Sequence, residues 1–287
     1  MRYFADIFCM NLFLKSVIII SGCSFLLSSC SPKVKNKYSE AQKKQETIVS
    51  EVTEKLSVNV APVLVDSLGN QVPSSFVPTV NFGARKPSFV IIHHTAQDSI
   101  QQTIKTFTLE RTQVSAHYVI GRDGFLVQML SDELRAWHAG AGKWGNMTDM
   151  NSCSIGIELD NNGFEPFSDA QINTLLLLLE KLKRDYNIPA ANFIGHSDIA
   201  PRRKSDPSIL FPWEKLARAG FGLWYDLPDQ LPPSNFDVEA ALRRIGYDVS
   251  DLPAAIIAFK RHFVQKDLIP LMGTWDLCVL YNLYRKY

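Results

Sequence analysis

Three residues from widely separated stretches of the chain have the side chains of a metal site. His93 follows an apolar run at residues 88–92, and His196 follows a shorter run at residues 192–195. Asp206 lies in a loop ten residues after His196. Two imidazoles and one carboxylate at strand ends can supply three ligands of a tetrahedral zinc ion and leave the fourth position to water. Such a centre lowers the pKa of the water toward neutrality and polarises a bound carbonyl, which indicates hydrolytic chemistry.

Four short motifs surround these residues. They are residues 92–96 (IHHTA), 137–140 (WHAG), 154–159 (SIGIEL) and 195–207 (GHSDIAPRRKSDP). Together, and in this order, they resemble the type 2 N-acetylmuramoyl-L-alanine amidases, the zinc family shared with peptidoglycan-recognition proteins and phage amidase lysozymes. The resemblance is closest to the lipoprotein branch with a C-terminal helical peptidoglycan-binding domain. It is strong over residues 88–225 and weak over the tail.

The resemblance implies a zinc cofactor held by His93, His196 and Asp206. His93 and His94 are adjacent on a predicted strand, so their side chains point to opposite faces and only one of them can reach the metal. Spacing does not choose between the two. The family pattern places the ligand directly after the apolar run, which favours His93.

Glu158 is the candidate general base. It ends a predicted strand among apolar neighbours, a setting that raises the pKa of a carboxyl and suits proton transfer from the attacking water. The family pattern assigns this role to Glu158. Phage-type members carry a tyrosine where this chain has Ala116, and its absence also favours Glu158 as the base. Asp160 lies two residues further on the same face and is the competing candidate. A strand-end carboxylate in a surface ion pair is the alternative interpretation of Glu158.

Further side chains are assigned around this centre. Lys204 would place an ammonium near the oxyanion of the tetrahedral intermediate, and the alternative is a solvated loop lysine. Asp198, two residues after His196, would accept a hydrogen bond that orients an imidazole. Candidates for the wall of the substrate cleft are His94, His117, Trp137 and His138, and a structural role is the alternative for His117 and His138.

The resemblance implies a peptidoglycan hydrolase. Zinc-activated water would cleave the amide bond between N-acetylmuramic acid and the L-alanine of the stem peptide, and the partners would be peptidoglycan or muropeptides. A non-catalytic peptidoglycan receptor is the alternative, but such receptors characteristically lack a zinc ligand, and all three candidate ligands are present here. A zinc peptidase that cuts within the stem peptide is the third interpretation.

The composition is that of an ordinary globular protein. Of the 287 residues, 46% are hydrophobic and 21% are charged, and 30 basic residues against 29 acidic residues give a formal net charge of +1. This balance indicates no nucleic-acid partner. The length corresponds to about two domains. We expect a monomer.

The N-terminus has the layout of a lipoprotein signal peptide, residues 1–29. Lys15 precedes an apolar run at residues 17–27, which is short for a membrane span, and small residues follow. Residues 27–30 (LSSC) resemble a bacterial lipobox, in which the cysteine is lipidated, so Cys30 is the predicted anchor. Cys23 is a second candidate, but cleavage there leaves a shorter apolar region.

A lipidated Cys30 predicts a membrane-anchored protein of the cell envelope. Ser31 stands where an aspartate is associated with retention in the inner membrane, so we expect the outer membrane and a protein that faces the periplasm. The lipidated cysteine and a polar tether, residues 30–80, would contain a helix around residues 40–56. Cys153 and Cys278 are expected to be buried thiols rather than a disulfide.

Residues 81–228 are predicted to form the zinc amidase domain, an α/β fold with a mixed central β-sheet flanked by helices. Apolar runs predict strands at residues 88–92, 153–159 and 192–195, and a glycine-containing turn predicts a hairpin over residues 116–130. Helices are predicted at residues 98–112, 168–186 and 212–219. Asp98 and Ser168 are the expected N-caps of the first two.

Residues 234–287 are predicted to form a small C-terminal domain of three helices. The first helix would end at Gly246, and Thr274 would be the N-cap of the third. The resemblance implies a peptidoglycan-binding module. A tail of about 55 residues is small for independent stability, so we expect it to dock on the main domain. The alternative is a cap that only stabilises that domain.

Overall fold

The computed structural model describes residues 38–57, 64–65, 71–72 and 85–287. The predicted signal peptide and Cys30 lie outside these residues. The helix predicted in the tether is present as α1, Ser39–Ser57. β1 (Leu64–Val65) and β2 (Gln71–Val72) form an antiparallel pair. Within the described residues, no helix combines the length and the hydropathy that crossing a bilayer requires.

A five-stranded sheet lies at the centre of the structure from residue 85 onward. Its strands are β3 (Phe89–His94), β4 (Tyr118–Ile120), β5 (Leu126–Gln128), β6 (Ser154–Leu159) and β7 (Phe193–Gly195). In space they are ordered β5–β4–β6–β3–β7, with β5 antiparallel to β4 and the other neighbours parallel. This arrangement confirms the predicted mixed sheet.

The helices of this region are α2 (Ile100–Phe107), α3 (Met150–Cys153), α4 (Asp169–Tyr186), α5 (His196–Ile199) and α6 (Trp213–Arg218). α4 has the predicted bounds, and the Ser168 hydroxyl accepts from the Gln171 amide at 3.1 Å, which confirms that cap. The N-cap predicted for α2 is wrong. Ser99, not Asp98, accepts the hydrogen bond from the amide of Gln102.

The C-terminal region contains the three predicted helices, α7 (Val238–Ile245), α8 (Leu252–Phe259) and α9 (Thr274–Lys286). A π-helical turn, Lys260–Val264, continues α8. α7 ends at Gly246, which has a φ of 135° that a side chain would disfavour. Thr274 is the first residue of α9 rather than its cap, because the cap position is Gly273, whose amide donates to Asp276.

The two faces of β3 pack against different helices. Val90 and Ile92 belong to a buried apolar cluster with residues of α4, whereas Phe89 and Ile91 belong to a second cluster with residues of α7, α8 and α9. The C-terminal helices therefore share an apolar core with the sheet. By the alternation of the strand, His93 lies on the face of Phe89 and Ile91.

The two cysteines within the described residues are free thiols. Cys153 is the last residue of α3, one residue before β6 begins, and Cys278 is buried on α9. The expectation of unpaired thiols is confirmed, whereas the expectation that both are buried holds for Cys278 and not for Cys153, which is only partly buried.

Candidate active site

The three predicted metal ligands converge at one edge of the sheet. β3 and β7 are neighbouring parallel strands, so their carboxyl ends lie side by side. His93 lies next to the end of β3, and His196 directly follows β7 as the first residue of α5. The loop after α5 returns Asp206 to the same place, because the amide of Ser197 donates to the Asp206 carbonyl at 2.7 Å.

Their donor atoms form a nearly equilateral triangle. Nδ1 of His93 is 2.9 Å from Nδ1 of His196 and 3.1 Å from Oδ2 of Asp206. Nδ1 of His196 is 3.0 Å from the same carboxylate oxygen. Two ligand atoms of a tetrahedral zinc ion are about 3.3 Å apart, since the bonds are about 2.0–2.1 Å long. The donor set and its spacing therefore fit a zinc ion.

The protonation of these groups suits a cation. Burial, together with the neighbouring His196, lowers the pKa of His93 to about 4, so its imidazole is neutral near pH 7. Burial opposes ionisation of Asp206, but its contacts with His196 and His93 hold its pKa well below the usual range. All three side chains are buried, with 1%, 3% and 9% of the surface of His93, His196 and Asp206 exposed. A cation between the three groups would be bound by the lone pairs that they direct toward one another.

Glu158 lies beside this cluster. It is the register partner of His93 across β3 and β6, so both side chains project from the same face of the sheet. Its Oε2 atom is buried and has no hydrogen-bond partner within the described part of the chain. Burial raises the pKa of Glu158 to about 8, with a further contribution from Asp206 that Lys204 opposes. An unpartnered carboxyl of this kind can accept and return a proton near pH 7.

Asp160, the competing candidate, has one oxygen engaged in an ion pair, while its Oδ1 atom is buried without a partner among the described residues. Its Oδ2 atom accepts from Arg122 at 2.9 Å. Arg122 also donates to Glu165 at 2.8 Å, which holds the guanidinium beside both carboxylates. The structure therefore favours Glu158 as the carboxyl that faces the cluster.

Lys204 is exposed on the loop that carries Asp206. Its positive charge contributes to lowering the pKa of both His93 and Glu158, so the ammonium lies near the cluster. Arg203, its neighbour, instead donates to the carbonyl of Ala139 at 3.0 Å.

The residues predicted for the cleft wall occupy four different settings. Trp137 is 52% exposed and is available for contact with a ligand. His94 points to the opposite face from His93, and its Nδ1 atom accepts from the amide of Ser208 at 3.1 Å. His138 is buried, and its Nδ1 atom is 3.1 Å from Nε2 of His93. His138 thus contacts a predicted metal ligand rather than the cleft.

His117 does not line the cleft either. It is fully buried, and its Nδ1 atom accepts from the amide of Gly156 at 3.0 Å. Nε2 therefore carries the proton, which it donates to the carbonyl of Leu134 at 3.0 Å. Both ring nitrogens are hydrogen-bonded to backbone groups, and Nε2 also lies 3.1 Å from Nη2 of Arg85, so the structure places His117 in the core.

Asp198 does not orient either imidazole ligand. The fully buried carboxylate accepts from the Tyr247 hydroxyl at 2.9 Å and from the Gly195 amide at 2.7 Å, and its Oδ2 atom is 2.8 Å from Nδ1 of His262. Tyr247 and His262 come from the C-terminal helical region, 49 and 64 residues away along the chain. No local pattern pointed to these partners, because only the packing of the tail against the sheet brings them to Asp198.

Comparisons with known proteins find similar sequences among the amidases. The profile of a family described as N-acetylmuramoyl-L-alanine amidase matches residues 83–209. The N-acetylmuramoyl-L-alanine amidase AmiD of Escherichia coli (strain K12) is 36% identical over 207 residues, which are 61% of this chain and 74% of that protein. The 1,6-anhydro-N-acetylmuramyl-L-alanine amidase AmpD of Enterobacter cloacae is 42% identical over 103 residues, 36% of this chain and 55% of that protein.

Solved structures of similar proteins extend the comparison to the fold. AmiD from E. coli in complex with anhydro-N-acetylmuramic acid-L-Ala-D-gamma-Glu-L-Lys has a TM-score of 0.64 and 30% identity, covering 78% of this chain and 97% of that one. AmpDh3 from Pseudomonas aeruginosa in complex with anhydromuramic pentapeptide has a TM-score of 0.64 and 31% identity, covering 79% and 99%. The similarity to each of these two structures covers more of this chain than the match to the family profile does.

Proposed function

The chain belongs to the type 2 N-acetylmuramoyl-L-alanine amidase family, and from this premise we propose that it is a zinc-dependent peptidoglycan amidase. It cleaves the amide bond between the lactyl group of N-acetylmuramic acid and the L-alanine of the stem peptide. The observation that carries the zinc assignment is the triangle of donor atoms from His93, His196 and Asp206, with sides of 2.9, 3.1 and 3.0 Å.

Muropeptides are the proposed substrates. The solved relatives AmiD and AmpDh3 contain an anhydro-N-acetylmuramic acid tripeptide and an anhydromuramic pentapeptide, respectively. These compounds share the sugar–peptide amide on which the proposed reaction acts. The exposed Trp137 and the exposed Lys204 are available to a ligand at the edge of the site.

Each residue of the site has a role in the proposed hydrolysis. A zinc ion held by the three ligands would polarise the scissile carbonyl and lower the pKa of a water molecule toward neutrality. Glu158 takes a proton from the attacking water and returns it to the leaving amine of L-alanine as the C–N bond breaks. The Lys204 ammonium stabilises the negative charge that develops on the carbonyl oxygen.

Zinc content and product identity test this proposal together. We expect purified protein to retain zinc and to release a free amine from muropeptides, and we expect a chelator to abolish the release. Mass spectrometry should find intact stem peptides with a free L-alanine N-terminus. Fragments cut within the stem peptide would instead identify a peptidase, and binding of muropeptides without any product would identify a receptor.

We also propose that Cys30 carries a lipid anchor and that the protein works at the outer membrane, facing the periplasm. The lipobox-like residues 27–30 and the Ser31 that follows them support this location. Metabolic labelling with a fatty-acid analogue tests the anchor. We expect label in the wild type and none in Cys30→Ala, whereas label that persists in that variant would point to Cys23.

A further inference from the structure

Residues 138 and 139 contact the outer nitrogens of both histidine ligands. Nε2 of His93 is 3.1 Å from Nδ1 of His138. Nε2 of His196 is 3.0 Å from the carbonyl oxygen of Ala139. One short stretch of chain, within the WHAG motif, therefore faces both imidazoles on the side opposite to the donor triangle.

The hydrogen bonds behind His138 determine which nitrogen carries its proton. The Ser154 hydroxyl donates to the carbonyl of Met150, which can only accept. The Ser154 oxygen is then the acceptor for Nε2 of His138, 3.3 Å away. With its proton on Nε2, His138 presents an unprotonated Nδ1 to His93.

The same hydrogen-bond argument applies to the two histidine ligands. His93 must donate from Nε2 to His138. Its Nδ1 atom therefore carries a lone pair, which points toward the other two donor atoms. Nε2 of His196 donates to the Ala139 carbonyl, so in the neutral imidazole its Nδ1 atom carries a lone pair as well. Both imidazoles are thereby held in the tautomer that binds a cation through Nδ1.

The packing around His138 leaves the ring little freedom. Asn151 is buried, and its side-chain oxygen accepts from the amides of His138 and Ala139 at 3.0 and 2.9 Å. The ring lies on Gly156, where a Cβ atom would come within 2.4 Å of the His138 ring carbon Cγ. A glycine at this position of β6 therefore makes room for the imidazole.

We propose that His138 is a positioning residue whose unprotonated Nδ1 accepts from His93 and fixes the zinc-binding tautomer of that ligand. The inference rests on the proposed function, because it presupposes zinc at His93, His196 and Asp206. It replaces the cleft role that the sequence predicted for His138. Outer partners of histidine ligands contribute about 10–100-fold to metal affinity.

The test compares zinc affinity in two variants at the same position. His138→Leu keeps an apolar side chain of similar length but removes the acceptor, and we expect its zinc affinity to fall about 10–100-fold. His138→Asn keeps an oxygen near the position of Nδ1, and we expect an affinity nearer to that of the wild type than to that of the leucine variant. Competition with a chromophoric chelator measures both, and NMR of the imidazole nitrogens should show His93 protonated at Nε2 in the zinc-loaded wild type.

His117→Leu is the matched control. His117 is also buried and lies edge to face with His138 at 5.8 Å, but among the described residues its nitrogens contact Gly156, Leu134 and Arg85 and neither histidine ligand. We expect it to lower the melting temperature without weakening zinc binding.

The outcomes separate this inference from the proposed function. Wild-type affinity in His138→Leu, or an equal loss in the asparagine and leucine variants, would overturn the positioning role while leaving the zinc site intact. A wild-type protein that binds no zinc would overturn both. A selective loss in the leucine variant supports the inference whether or not hydrolysis has been detected.

Discussion

At the scale of single residues, the site combines two buried imidazoles with the carboxyl of Glu158, whose pKa burial raises to about 8. Glu158 is held next to His93 by the register of β3 and β6, and none of the residues that the structure describes forms a hydrogen bond with its Oε2 atom. An unsatisfied buried polar atom costs about 1–3 kcal/mol. This loss of stability is expected if the carboxyl of Glu158 has to exchange a proton during the proposed reaction.

Glu158→Gln is expected to lower kcat by at least about 100-fold, the lower end of what general acid–base catalysis contributes. The amide is nearly the same size but cannot take a proton from water. Steady-state amine release measures the loss, and metal analysis should find the wild-type zinc content. Glu180→Gln, a change on the exposed face of α4, is the control. Full activity in zinc-loaded Glu158→Gln would disprove the assignment.

His117 should make the stability of the protein depend on pH below neutrality. Burial lowers its pKa from 6.5 to about 4 in the folded state. Between these two values the unfolded chain binds more protons than the folded one, so stability falls as the pH falls from 6.5 to 4. Complete titration corresponds to about 3 kcal/mol.

The measurement is the free energy of unfolding in denaturant at a series of pH values. His117→Asn should be less stable than the wild type near pH 7, and the difference should shrink toward pH 4. Because His93 and His138 are also buried, only the difference between the two proteins at equal metal content reports on His117. A difference that is constant with pH would contradict the assignment.

At the scale of secondary structure, capping interactions determine where α2 begins. Both Asp98 and Ser99 are suitable N-cap residue types, and they are adjacent. The backbone of Ser99 is extended, and its hydroxyl accepts from the amide of Gln102 at 3.3 Å. The helix therefore starts one residue later than a cap at Asp98 would place it.

Alanine substitutions distinguish the two caps. Ser99→Ala should lower the free energy of unfolding by about 1 kcal/mol, since it removes the acceptor for an otherwise unpaired helical amide. Asp98→Ala should change it by less. Chemical denaturation of the two variants measures the difference, and an equal or larger effect at Asp98 would show that the aspartate caps the helix in solution.

At the scale of the whole molecule, the C-terminal helices are joined to the sheet by apolar and polar contacts. Phe259 of α8 and Leu280 of α9 share a buried cluster with Phe89 and Ile91 of β3. The buried carboxylate of Asp198, two residues after a predicted zinc ligand, receives its hydroxyl partner from this region. We therefore propose that residues 234–287 stabilise the catalytic domain of residues 81–228, whether or not they also bind the cell wall.

Tyr247→Phe tests this coupling without removing the domain. The variant keeps the ring but deprives a buried carboxylate of a hydrogen bond, and bonds to charged groups are worth about 1.5–3 kcal/mol. At about 2–4 °C per kcal/mol, the melting temperature should fall by several degrees. Tyr284→Phe, on the partly exposed face of α9, should leave it unchanged. An unchanged melting temperature in Tyr247→Phe would contradict a stabilising role for the hydrogen bond between Tyr247 and Asp198.

Much of the architecture could be read from local patterns. Apolar runs located β3, β6 and β7, the turn after Ile120 located the β4–β5 hairpin, and Ser168 marked the start of α4. The types of His93, His196 and Asp206 allowed a metal centre, the resemblance of the motifs around them implied one, and the structure brings these residues together. These features depend on periodicity, capping and donor chemistry, which are properties of short segments and of the residues themselves.

Only the tertiary structure decided how the remaining polar residues are used. Asp198 bonds to Tyr247 rather than to a ligand, His117 lies in the core, and His138 faces His93. The choice of Glu158 over Asp160 depended on the position of Arg122. Each of these outcomes is set by a partner that lies far away along the chain. Local sequence cannot specify such partners, because packing of the sheet and helices determines which buried groups meet.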